Sequence, residues 1–448
     1  MKYSRRDFLK TIAAGIGIVG STAIGAGTPL KAVEDTASDL GIVEASLEPY
    51  ERKLAEQEAY RARLGVRRVE RPTYERFIEG PIPRFDGRNT AFIRLSWDKE
   101  YITRHTATFI REPNKWDLES YALIAGVDYP RSFLVDLTLP PLLTWQPGTT
   151  SVGGPYQPPR IPKNTEQMPV PDPARMSKRI KQVAMFYGAD LVGIAPYDER
   201  WVLKGVEIPW AKYVISLAIE MDYEFLRIIS YPASGYPQAA TFMGYTKMAE
   251  VAPALATYIL GIGYNARACG NDTVLNIPIA MDAGLGEMGR HNMLITPEFG
   301  PRVRLCSVIT DLPLQPDKPI DFGIQRFCEL CNKCARACPG RAIPFGDRTS
   351  TPPNISNNSG LRKWQRDAEL CRTFWRRNGM DTLGYRHPCQ ECIRVCPWNI
   401  YGRKNNPWYF DLFKYIAING GDAGKSFIIQ LHDFLGYGRP FPPQPVPP

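Results

Sequence analysis

Apart from two cysteine-rich blocks near its C-terminus, this sequence has no internal repeat, which argues against an array of stacked repeats. It also lacks a decisive charge. The formal net charge is +9, but residues 1–32 contribute +4 of it, through Lys2, Arg5, Arg6, Lys10 and Lys31 against Asp7, leaving +5 on the rest. So small an excess gives nucleic-acid binding little support. Strongly apolar runs are missing too. The stretch from Thr11 to Leu30 is uncharged over twenty residues, long enough for a membrane span, but it is rich in glycine and poor in Leu and Phe, and so weakly apolar for a permanent anchor. Low complexity is confined to proline-rich connections at Leu139–Pro147, Gly153–Pro159 and Arg439–Pro448, which can continue neither a helix nor an inner strand.

With 44% hydrophobic and 23% charged residues, the remainder describes a globular protein of two or three lobes with ample core. Its N-terminus carries an address. Ser4-Arg5-Arg6-Asp7-Phe8-Leu9-Lys10 has the form of a twin-arginine export signal, and the weakly apolar run after it fits a cleaved signal better than an anchor. Cleavage is expected near Ala32. That route carries proteins already folded, which suits a chain that acquires cofactors before export.

Eight of the ten cysteines lie in the two blocks. The first, Cys328-Glu-Leu-Cys331-Asn-Lys-Cys334-Ala-Arg-Ala-Cys338-Pro339, is the C-x2-C-x2-C-x3-C-P run of bacterial two-cluster ferredoxins. The second consists of Cys371 and, after an insertion, Cys389-Gln-Glu-Cys392-Ile-Arg-Val-Cys396-Pro397. A cubane needs four thiolates converging from different directions. Short loops deliver three, and the chain after them carries the fourth cysteine to the neighbouring cube. Cys328, Cys331, Cys334 and Cys396 are therefore assigned to one 4Fe-4S cluster, and Cys338, Cys371, Cys389 and Cys392 to the other. Zinc sites rarely pack four cysteines into eleven residues followed by proline, and disulfides would have to close implausibly small loops. Each cluster would add about −2, bringing the folded holoprotein close to neutral. Cys269 and Cys306 read as buried small apolar residues.

Between the signal and these blocks the pattern turns regular. Ala174–Tyr187 places Ile180, Val183, Ala184 and Tyr187 on one helical face before Gly188. Leu191–Ala195 and Tyr213–Ile219 read as strands, and Pro237–Leu260 as a long helix. Period-two alternation in Arg302–Ile309 sets Arg302 and Arg304 on one face, Val303 and Leu305 on the other. The core is thus expected to be α+β, with an α/β-like alternation. Gly284, Gly286 and Gly289 form a loose G-x-G-x-x-G, but no clear strand precedes it, so a dinucleotide fold is not supported. Asn354–Ser359 reads as a surface loop rather than a glycosylation site.

Taken together, the export signal, the block Ala283-Gly-Leu-Gly-Glu-Met-Gly-Arg-His-Asn-Met-Leu-Ile295 with its continuation to Leu314, and the two ferredoxin motifs resemble the corrinoid-dependent reductive dehalogenases of organohalide-respiring bacteria. Epoxyqueuosine reductases share the Ala-Gly-Leu-Gly block and the paired clusters but lack the export signal. The resemblance implies a nitroreductase-type core binding a corrinoid, followed by a two-cluster ferredoxin-like domain. The division expected is 1–32 signal peptide, 33–165 N-terminal region with proline-rich linker, 166–320 corrinoid-binding core, 321–402 cluster domain and 403–448 proline-rich extension. None of the four histidines, His105, His291, His387 and His432, stands in an Asp-x-His-x-x-Gly setting, which argues against a histidine ligand to cobalt and agrees with the family.

The family also assigns roles. Its proton-donating tyrosine matches Tyr245 on the long helix, although Tyr245 could simply pack the core with Phe242 and Met248. The cation that holds the tyrosinate matches Arg304 in preference to Arg302. Asn271 stands where some members place a polar residue near the tyrosine or the halogen; a turn-forming role is its alternative. Trp97, Thr241 and Trp375 are pocket candidates by position. The expected reaction removes halide from a chlorinated alkene or arene, with electrons passing from a quinol-linked or other membrane donor through both clusters to cobalt. Further expectations are a peripheral location on the outer face of the cytoplasmic membrane, a small integral-membrane anchor protein as partner, and a possible homodimer. The rival readings are an exported corrinoid reductase of a non-halogenated substrate and a plain electron carrier.

Overall fold

The computed structural model describes residues 37–105, 123, 163–228, 235–271, 273–378, 389–399 and 408–436, with backbone alone for residues 37–46, His105 and Trp408. The expected export signal, the three proline-rich stretches and His387 lie outside these residues. The chain divides into units 1–49 and 50–448. In the first, residues 37–49 are helical, the start of α1 (Ala37–Leu64).

The second unit is built on a four-stranded sheet. Its strands β2 (Leu191–Pro196), β3 (Tyr213–Glu220), β7 (Val303–Thr310) and β4 (Ala266–Cys269) lie in that order. Every neighbouring pair is antiparallel, so the core is α+β and the α/β-like alternation does not extend to a parallel sheet. Helices cover both faces. On one lie α2 (Pro173–Phe186), against β2, and α3 (Tyr236–Gly261), against β3, β4 and β7. On the other lies α4 (Asn276–Asp282). Asp172 caps α2, accepting from the Ala174 and Arg175 amides at 2.9 and 3.2 Å, and Ile180, Val183 and Ala184 bury its inner face. Tyr187 is the half-buried cap residue rather than part of that face.

Alternation in β7 sorts the two faces as the sequence indicates. Val303 and Leu305 pack with Ile279 and Met281 of α4, whereas Arg304 faces α3. Cys269 and Cys306 are 1% and 0% exposed, as small core residues. The glycine-rich block folds into a hairpin, β5 (Glu287–Met288) against β6 (Leu294–Ile295), and a further short pair joins β1 (Arg67–Arg68) to β8 (Ile320–Asp321).

The cysteine blocks follow on short helices. These are α5 (Ile324–Leu330), α6 (Lys333–Ala337), α7 (Ala368–Arg377) and α8 (Glu391–Arg394), which carry Cys328, Cys334, Cys371 and Cys392. Helices α9 (Trp408–Asn419) and α10 (Gly421–Phe434) pack together, and α10 packs on α5. Gly300 is where the core meets this region. Its φ is +57°, and a Cβ there would stand 1.9 Å from the Trp398 carbonyl oxygen, so only glycine permits the approach. Among the described residues no helix is long and apolar enough to cross a membrane.

Candidate functional site

A cavity of about 460 Å³ lies between the sheet core and the second cysteine block, in the range of ordinary ligand pockets. Tyr245 and Arg304 reach it from α3 and β7, and Cys371, Cys389 and Cys392 from the cysteine side. Tyr245 is 5% exposed, and the Arg304 guanidinium lies over its ring, 4.9 Å from the centroid. The two elements come this close because of Gly244. A Cβ on it would stand 2.8 Å from Arg304 Cγ and 3.4 Å from Met221 Cγ.

Arg304 is tied in turn to the cysteine side. Its Nη2 donates to Thr241 Oγ1 at 3.4 Å, and Gln390, between Cys389 and Cys392, donates Nε2 to the same oxygen at 2.9 Å. Thr241 itself donates to the Pro237 carbonyl at 2.9 Å, so its hydroxyl is fully used. Thr241 is therefore a buried strut behind the cavity wall rather than part of its lining. Gln390 does line the cavity, and nothing in its sequence position beyond standing between two ligand candidates marks it out.

The other candidates divide. Trp375 lines the cavity edge-on to Phe92 at 5.7 Å, with a buried indole N–H that has no partner among the described residues. Asn271 is exposed at the rim, where its Oδ1 accepts from Asn276 Nδ2 at 3.5 Å. Trp97 is not part of the cavity. It is 48% exposed and its indole donates to the Arg88 carbonyl at 2.8 Å, a polar tip satisfied at the surface. The segment expected as a surface loop also needs correction, since Ser356, Asn358 and Ser359 line the cavity and Ser356 is buried. Behind another wall Asp282 accepts from Tyr74 Oη at 2.7 Å and Trp201 Nε1 at 3.0 Å, and burial pushes its carboxyl up to about 7.

All four ionised side chains on the lining are cations: Arg304, Lys363, Arg366 and Arg372. Burial and the neighbouring Arg366 bring Lys363 down to about 8. Of the described histidines, His291 and His432 lie away from the lining, and burial lowers both to about 3.

The cysteines converge in one region, where Cys334, Cys338 and Cys392 pack in a shared apolar cluster. Cys328, Cys331 and Cys396 share one buried apolar cluster, and Cys334 interacts electrostatically with all three. Cys392 interacts with Cys371 and Cys338, and Cys389 with Cys392 and Cys371. Burial, then neighbouring thiolates, push Cys328 and Cys392 up to about 12 and Cys334, Cys389 and Cys396 well above the ordinary thiol range. Thiols so placed become thiolates readily only when bound to metal. Among the described residues no three His, Cys, Asp or Glu side chains suit a single metal ion. A cube makes a different demand, since each thiolate binds its own iron. Eight cysteine sulfurs without disulfides, four of them in buried residues and four in partly buried ones, fit that demand.

The architecture is thus an α+β core facing a cysteine domain, and residues 327–400 match the family description "4Fe-4S dicluster domain". The wider chain is similar to reductive dehalogenases. It is 37% identical over 320 residues to the tetrachloroethene reductive dehalogenase of Dehalobacter restrictus, covering 60% of this chain and 55% of that one. Against the enzyme of the same name from Sulfurospirillum multivorans it is 34% identical over 301 residues, covering 60% and 58%. The chain therefore matches little more than half the length of these relatives. In fold it is similar to the catabolic reductive dehalogenase NpRdhA in complex with 3-bromo-4-hydroxybenzoic acid, with a TM-score of 0.62, 26% identity, and coverage of 83% of this chain and 49% of that one. A second solved structure, described as suggesting a mechanism for B12-dependent dehalogenation, gives a TM-score of 0.60 at 26% identity, covering 84% and 50%.

Proposed function

We propose that this chain is a reductive dehalogenase that replaces a carbon–halogen bond with carbon–hydrogen, using a corrinoid in the open cavity beside Tyr245 and Arg304 and two 4Fe-4S clusters. One observation carries the reading: Tyr245 and Arg304 meet on the wall of a cavity that Cys371, Cys389 and Cys392 also line. The residues present suit such a group. Apolar Ile82, Val274, Leu275 and Met281 line the space, while Arg304 Nε and Trp375 Nε1, without partners among the described residues, offer polar contacts. When bound, the corrinoid supplies low-potential reducing power at cobalt, and the clusters supply electrons.

The reaction consumes two electrons and one proton per halide released. This chain's own part is the proton. The buried Tyr245 hydroxyl donates it, and the Arg304 guanidinium over its ring stabilises the phenolate left behind. Thr241 and Gln390 hold Arg304 in place. The aromatic edge of Phe92 and Trp375 and the apolar wall suit a chlorinated alkene or arene. Anaerobically loaded protein with a low-potential donor should release halide from at least one member of a panel containing tetrachloroethene and a halogenated hydroxybenzoate. No halide from any member, with all cofactors verified, would remove the reading.

The wider setting belongs to the same proposal. Export follows the twin-arginine segment Ser4–Lys10, and the enzyme works at the outer face of the cytoplasmic membrane beside a small integral-membrane anchor and a quinol-linked donor. Changing Arg5 and Arg6 to Lys should retain active enzyme in the cytoplasm. Unchanged export of that variant would sink the assignment.

A further inference from the structure

Arg290, in the hairpin turn between β5 and β6, is 3% exposed. Its guanidinium is surrounded by carbonyl oxygens. Nε and Nη2 donate to the Cys328 carbonyl at 3.1 and 2.9 Å, and Nη1 to those of Pro344, Phe345 and Gly346 at 2.9, 3.0 and 3.0 Å. Carbonyls satisfy the N–H groups but carry no net charge. Among the described residues no Asp or Glu forms an ion pair with Arg290. Arg348 provides the contrast, because it stacks on the same Trp364 ring and is paired with Glu329 at 2.6 Å. A buried cation without a counter-charge is strongly unfavourable, so one is to be sought nearby. The charges closest in effect are the sulfurs of Cys334, Cys328 and Cys331. The Arg290 amide also donates to Cys328 Sγ at 3.5 Å.

We propose that Arg290 is the fixed counter-ion of the cluster held by Cys328, Cys331, Cys334 and Cys396 and raises that cluster's reduction potential. This rests on the cluster reading above. Reduction adds an electron to a group that is already anionic, in surroundings of low dielectric. A fixed cation therefore favours the reduced state, and removing it makes reduction harder. The hydrogen bond from the Arg290 amide to Cys328 Sγ belongs to the backbone and survives substitution, so a side-chain change isolates the charge. The group of Cys371, Cys389 and Cys392 has a different neighbouring cation, Arg366, and should not respond.

The experiment is a potentiometric titration followed by electron paramagnetic resonance on wild-type holoprotein and the variants Arg290→Gln and Arg290→Lys, with iron counted in each. Wild type should hold about eight irons; fewer would instead overturn the cluster reading itself. In Arg290→Gln one of the two midpoint potentials should move to a more negative value while the other stays, and Arg290→Lys should restore it. Loss of one cluster from the Gln variant alone, with the Lys variant intact, would also support a requirement for charge. Unmoved midpoints in a fully loaded Gln variant would overturn the proposal. So would equal loss of that cluster from both variants, since the carbonyl clamp and not the charge would then be the function.

Discussion

Tyr245 and Arg304 are joined by the kind of contact that makes two residues act as one. Replacing Tyr245 by Phe should keep cofactors bound yet lower turnover by roughly the 10²–10⁴-fold typical of losing a general acid. Arg304→Leu should cost a comparable factor. The double variant should lose much less than the product of the two, because either change disables the same proton delivery. Steady-state rates of all four proteins, with matched cofactor content, check this; multiplicative losses would separate the pair. Both residues could be named from the sequence by motif position, yet their contact could not, since it depends on a helix and a strand 59 positions apart meeting face to face. Trp97 shows the converse. An aromatic residue in the right neighbourhood carries no mark of whether its ring faces a cavity or covers the surface, and here its N–H is satisfied by Arg88 outside.

Among the elements, α3 and β7 set the spacing of the site, and Gly244 sets theirs. Glycine inside a helix costs about 1 kcal/mol relative to alanine, so its presence one residue before Tyr245 implies a compensating close contact. Gly244→Val should displace the Arg304 side chain, whose Cγ a Cβ would approach to 2.8 Å, and reduce turnover while leaving iron content unchanged. Wild-type turnover in that variant would show that the approach does not position Arg304. Periodicity found α2, which buries one face, and the alternation at the start of β7, whereas β2 and β3 are buried at nearly every position and α3 at most, and these three read as apolar runs bounded by turn residues and glycines. The antiparallel order β2-β3-β7-β4 stayed hidden because β4, only four residues long, joins β7 from a distance in sequence. The link from Gln390 through Thr241 to Arg304 was equally out of reach, being a meeting of three separate elements.

At the scale of the whole molecule, Cys396 of the second block packs with Cys328 and Cys331 of the first, and Cys338 of the first interacts with Cys371 and Cys392 of the second. A double variant, Cys371→Ala with Cys396→Ala, separates crossed from uncrossed ligation. If each block filled its own cluster, both changes would fall on one site and about four irons would remain. The crossed arrangement predicts damage to both clusters and the loss of nearly all iron, read by iron and sulfide assay. The spacing raised crossed ligation as an expectation, while the way the core leans on the cysteine region at Gly300, against the Trp398 carbonyl, left no mark in the sequence. Crossed ligation would also constrain when the protein can be finished. A growing chain that has emerged only as far as Cys338 would offer three ligands for one cube and a single ligand for the other. The first cube would lack its last ligand until Cys396 is made, 58 residues later. Cluster insertion would then belong after synthesis of both blocks, and a chain stalled between them would leave four thiols exposed to oxygen with nothing to close around.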